Sequence, residues 1–161
     1  SIGGSEVVID PSSGTVWVTV RGYYEGSEKI QITGVVLSFA DPTQGGSSYY
    51  IYICPTPCTP YQGLGCGIVS YFGDCELICN SPIDLPGCVF VGSQEGSSEL
   101  VSLTPLTQLP QEYAPNSNVK ILLRGTYTSL QNPRIALIGV KYCFSDGTCS
   151  VANEKTQVRT C

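Results

Sequence analysis

The sequence predicts an all-β fold: an antiparallel β-sandwich, immunoglobulin-like or jelly-roll-like with Greek-key crossings, carrying a disulfide-stapled insertion. Three observations predict it. Short runs alternate apolar and polar residues, as in Thr15-Val16-Trp17-Val18-Thr19-Val20-Arg21, which is the period of a half-buried strand. No stretch combines a helical period with length and caps, and Pro105-Leu106-Thr107-Gln108-Leu109 is at most one helical turn. Clusters of Gly, Pro and Ser separate the runs at intervals that suit about seven to ten strands.

Taken in order, residues 1–12 form an N-terminal segment and residues 13–161 a single sandwich domain. The segment is a flexible lead through Gly3-Gly4 and a short strand, Glu6-Val7-Val8-Ile9, stopped by Asp10-Pro11. A lone apolar strand of this kind either pairs within its own sandwich or adds to an open sheet edge of another subunit, where Val7, Val8 and Ile9 would make the contacts. In the next strand Val16, Val18 and Val20 share one face, expected to meet Ile30 and Ile32 in the core. Trp17 points the other way. It is either a ligand-stacking aromatic or, more simply, packing beneath the cysteine-rich loop or a neighbouring subunit.

Further strands are expected over residues 29–33 and 35–39, ended by Asp41-Pro42, and over 49–53, 99–103, 119–127, 135–142 and 148–158. Adjacent tyrosines (Tyr23-Tyr24, Tyr49-Tyr50) must point to opposite faces of a strand, which leaves one of each pair outward.

Residues 54–88 hold Cys54, Cys58, Cys66, Cys75, Cys79 and Cys88, with five prolines and no lysine or arginine. A zinc cluster, a redox site and structural disulfides are the candidate uses. Without histidine or a neighbouring cation, six thiolates beside Asp74, Glu76 and Asp84 repel one another, and nothing lowers a thiol pKa. Disulfides are therefore expected, in any of the fifteen pairings that six cysteines allow. Pro55, Pro57, Pro60, Pro82 and Pro86 argue for an irregular loop that the staples hold rigid. Cys143 and Cys149 flank Asp146-Gly147, a hairpin signal, and suit a bridge across that turn. Cys161 is the odd one. It stays free, joins a different partition of the set, or cross-links to another subunit.

Disulfides imply an oxidising setting, which extracellular and cell-surface proteins fit, intracellular proteins of hyperthermophiles being the known exception. The chain has 161 residues, no methionine and only 13% charged residues, about half the usual share. The missing methionine suggests a processed or engineered start, such as follows signal-peptide removal. Net charge is −5 and the eight cations are scattered along the sequence, which disfavours nucleic acid and anionic membranes as partners. No apolar run reaches the ~18 residues of a spanning helix.

The absence of histidine removes the commonest general base and every Ser–His or Cys–His pair. No cofactor motif and no calcium loop is present. A two-carboxylate glycosidase is the one enzyme class left open, with Asp74 and Glu76 as the most suggestive pair, although solvated charge is expected of both. The chain is therefore not expected to be an enzyme.

Ser13–Arg21 followed by Gly26–Leu37 resembles the first two strands of β-sandwich domains in archaeal secreted and pilin-like surface proteins, over about 25 residues. The resemblance implies a subunit of an extracellular filament, such as a thread or bundling pilus, built head to tail by a donor strand. Gly22-Tyr23-Tyr24 departs from the Asn-Thr pair typical there, the long apolar helix of type IV pilins is absent, and Asn80-Ser81-Pro82 is not a glycosylation sequon. The expected function is a structural filament subunit that partners with itself. The alternative is a secreted adhesin, virion-surface or carbohydrate-binding module meeting a glycan or host surface.

Overall fold

The computed structural model describes residues 1–71, 73–126 and 132–161; Tyr127, the last residue of the strand expected over 119–127, lies outside the described residues. The fold is all-β. Its strands are β1 (Glu6–Asp10), β2 (Thr15–Tyr24), β3 (Ile30–Asp41), β4 (Ser48–Pro55), β5 (Cys66–Tyr71), β6 (Asp74–Cys79), β7 (Val89–Glu95), β8 (Ser97–Pro105), β9 (Gln111–Tyr113), β10 (Ser117–Thr126), β11 (Ile135–Phe144) and β12 (Cys149–Thr160).

Seven strands run in the order β11-β12-β1-β2-β10-β8-β3, and β3 pairs back to β11. The two faces of a sandwich are thus joined at both edges into a flattened closed ring. β3 is long enough to take two partners on its other side, β8 against Leu37–Asp41 and β9 against Ile30–Ile32. Closure removes the free edges that a strand from another chain could extend. Pairing is antiparallel except between β1 and β12, which run parallel.

The strand periodicity decides what fills the ring. Val16, Val18 and Val20 are buried together with Ile32, Leu37 and Ile121, as the alternation of β2 requires. β1 lies within this same ring. Val7 and Ile9 face the interior, while Val8 faces outward between Trp17 of β2 and Arg159 of β12. In the single chain, then, the N-terminal strand pairs within its own sheet.

The cysteine-rich segment differs from the expected irregular loop. It contains a regular hairpin, β5–β6, which joins β4 and β7 in a second sheet ordered β5-β6-β4-β7. The prolines lie in the connections or at the last residue of β4, where no ladder is interrupted. This plate lies on the outer surface of β3 and β11 through Ile51, Ile53 and Val91 against Val36 and Leu137. Gly139 permits the approach, since a Cβ there would lie 2.4 Å from a Val91 methyl and 2.9 Å from one of Val36. The other side of the plate holds a third core, in which Cys54, Cys75 and Cys79 pack with Tyr52, Tyr61 and Leu77.

Four disulfides are formed: Cys54–Cys88, Cys58–Cys75, Cys66–Cys79 and Cys143–Cys149, leaving Cys161 free and exposed. The first three tie the loops around Tyr61 and Leu85 over the plate. The helical turn expected at residues 105–109 is not formed. The Leu106 and Thr107 N–H groups both donate to the Leu122 carbonyl, which pins the chain to β10.

Candidate functional site

Two places bring polar chemistry together. The first is the seam between plate and ring. β6 turns Asp74 and Glu76 toward the ring, because they alternate with Cys75 and Leu77 on the opposite face. Asp74 accepts a 2.7 Å bond from the Lys141 ammonium of β11, and both side chains are largely buried. Glu76 stands between Ile53 and Val69 and is only 4% exposed. Burial, reinforced by the Asp74 charge, pushes its carboxyl up to about 8. Neither carboxylate is a solvated loop charge, as their place in a proline-rich segment had suggested. Strand alternation turns both inward. A substrate reaching them would have to pass between two packed sheets.

The raised Glu76 carboxyl gives a pH-dependent stability of definite sign. Between its ordinary value near 4.5 and about 8, the folded chain holds a proton that the unfolded chain has lost. This contribution is therefore fully present below 4.5 and is lost as pH rises to about 8. Glu76→Gln, which mimics the protonated acid, should leave the melting temperature unchanged at pH 4 and raise it by about 5 °C or more at pH 9. A parallel shift at both pH values would show that Glu76 is not the titrating group.

The second place is the ring surface that the plate leaves uncovered, formed by the outer faces of β1, β2 and β10 and of the second half of β12, whose first half meets the plate through Val151 and Asn153. Trp17 is 45% exposed there, and it is not among the residues packed beneath the stapled loops. Arg124, its direct partner on β10, holds its guanidinium 6.0 Å from the indole centroid. Ladder register continues the row from Trp17 through Val8 to Arg159. Four residues further along β2 and β10, Arg21 lies directly opposite Lys120, with Tyr23 beyond. Lys155 is exposed on β12.

Cations that are scattered in sequence are thus gathered in space. Arg21, Lys120, Arg124, Lys155 and Arg159, five of the chain's eight, share this surface, on which the strands carry Glu6 and Asp10 of its thirteen carboxylates and Glu25 stands at the rim beyond Tyr23. Strand alternation could have revealed the placement of each residue. Which strands are neighbours could not be read from the sequence, and the cluster depends on that. Two shallow hollows of about 330 and 590 Å³ lie in this surface. One sits beside Trp17 and Arg124, the other beside Arg21, Tyr23 and Lys120.

No family model and no curated protein matches the chain. Among solved structures, ACE19, the collagen-binding subdomain of the Enterococcus faecalis surface protein ACE, aligns over 98% of this chain and 95% of its own, at 10% identity and a TM-score of 0.32. No helix among the described residues is long and apolar enough to cross a membrane.

Proposed function

We propose that the chain is a secreted, cell-surface contact module of the adhesin kind that works by binding rather than catalysis. The observation that carries this reading is the two-sidedness of the ring. One side is buried beneath a plate tied by three disulfides, and the other is left bare with Trp17 and a cluster of cations at its centre. Disulfides of this number fit an oxidising, extracellular setting. The inward orientation of Asp74 and Glu76, with Asp74 engaged by Lys141, supports a non-catalytic role. The test is adherence of beads coated with the native, oxidised protein to cells or extracellular material. Specific, saturable adherence competed by soluble protein is expected. Its absence, or free thiols at any cysteine other than Cys161 in protein taken from its natural source, counts against the reading.

A second reading, a filament subunit joined by donor strands, draws on one feature of β1. It is a five-residue strand near the start of the chain, inserted between β2 and β12, with the parallel β12 ladder on one side. A strand from another copy would fit the same slot and make a head-to-tail contact. Deleting residues 1–10 separates the two readings. A folded monomer that no longer forms filaments supports exchange, whereas an unfolded monomer means that β1 is needed in its own ring. Filaments that still form without the segment exclude it as donor.

A further inference from the structure

We infer that the bare surface of β12, β1, β2 and β10 is a binding site for an acidic polysaccharide, a chain of sugar rings bearing carboxylate or sulfate groups. The inference names a ligand for the contact module proposed above and rests on that reading.

Arg21 and Lys120 are direct cross-strand partners, both exposed. Like charges placed opposite each other destabilise a sheet. The ion pairs found among the described residues engage Lys29, Arg134 and Lys141, none of them on this surface. An anionic ligand would turn this repulsion into binding energy. Trp17 supplies the second element, a flat apolar ring presented to solvent, on which the apolar face of a sugar can stack while Arg124 and Arg159 reach its charged substituents.

Spacing favours a sparsely charged polymer. Arg124 and Lys120 are four residues apart on one strand, about 14 Å at the usual rise, and Arg124 and Arg159 are three ladder steps apart, also about 14 Å. That suits a chain with one charge on every second ring or so. Duplex DNA carries a charge for about each 1.7 Å of axis and calls for denser cations. The polysaccharide would also be drawn to this surface alone, because the rest of a chain of net −5 repels it.

The experiment exploits the chain's one tryptophan. Oxidised full-length protein is titrated with hyaluronate, half-methyl-esterified polygalacturonate, neutral dextran and a single-stranded oligothymidylate, followed by Trp17 fluorescence and by calorimetry. A saturable fluorescence change with hyaluronate or half-esterified polygalacturonate, and none with dextran, is expected. Raising salt from 0.05 to 0.5 M should weaken binding tenfold or more, because exposed charges are screened. Trp17→Ala and the double variant Arg21→Ser/Lys120→Ser should each lose tenfold or more in affinity by calorimetry, with unchanged circular dichroism. Lys29→Ser, which lies off this surface beside Glu112, should bind as the parent does.

Failure of both acidic polysaccharides to bind overturns the inference. So does equal binding of dextran, tighter binding of the oligonucleotide, or a Trp17 change that follows protein concentration and reveals a second copy of the chain on this surface. Protein that adheres in the bead assay yet ignores the polysaccharides keeps the contact-module reading and loses this one.

Discussion

Val18→Asp should prevent the ring from folding. Val18 is 2% exposed and pairs with Val7 on one side and Leu123 on the other, so its side chain enters the most central layer of the interior. A carboxylate there has no partner, and a buried, unpaired charge costs several kcal/mol even after it neutralises itself by taking up a proton. The whole stability of a domain this size is about 5–15 kcal/mol. Val18→Ala removes volume without adding charge, and should cost about 2 kcal/mol through the cavity it leaves. Trp17→Asp, one residue away but on the outer face, should change stability by less than about 1 kcal/mol. Thermal melts followed by circular dichroism distinguish the three. A cooperative melt for Val18→Asp close to that of the parent would show that β2 sits in the opposite register.

The ease with which β2 is read from sequence, and the difficulty of reading the plate, have the same physical source. Alternation in Val16, Val18 and Val20 reports a local property, the pleat, which every strand obeys whatever its neighbours are. The β5–β6 hairpin obeys it too, through Ile68 and Leu77, but its signal is diluted by flanking prolines and by cysteines that count as neither clearly apolar nor clearly polar. Burial of Glu76 was illegible for a different reason. The residue is inward because the plate lies on β3 and β11, and that contact joins residues as distant in the chain as Ile51 and Leu137. The disulfide partners are non-local in the same sense. Only Cys143–Cys149, which spans a single turn, could be paired from its surroundings. The cationic surface shows the same division. Strand phase makes each of its side chains outward, whereas their assembly depends on β2 taking β10 and β1 taking β12 as neighbours.

Removing the staples should open the plate while the ring persists. The two structures have separate cores. The ring interior contains no cysteine, whereas Cys54, Cys75 and Cys79 make up half of the buried residues in the outer core of the plate. Loop-closure entropy assigns about 4 kcal/mol to Cys54–Cys88, which spans 34 residues, and about 3 kcal/mol each to Cys58–Cys75 and Cys66–Cys79, which span 17 and 13. Cys143–Cys149 spans only 6 and holds a hairpin that its own ladder already closes, so its loss should cost about 2 kcal/mol or less. A variant with serine at Cys54 and Cys88 should therefore lose amide-exchange protection over residues 48–95 well before residues 15–24 and 117–126. Its newly bared Val36 and Leu137 should bind a hydrophobic dye. Simultaneous loss of protection in both regions would mean that the plate–ring seam couples them into one cooperative unit. In the sequential case, the opened variant still presents Trp17, Arg21, Lys120 and Arg124 on an intact sheet. Its affinity for an acidic polysaccharide should match that of the parent, which assigns the staples to protecting the far side of the ring and leaves recognition to the bare one.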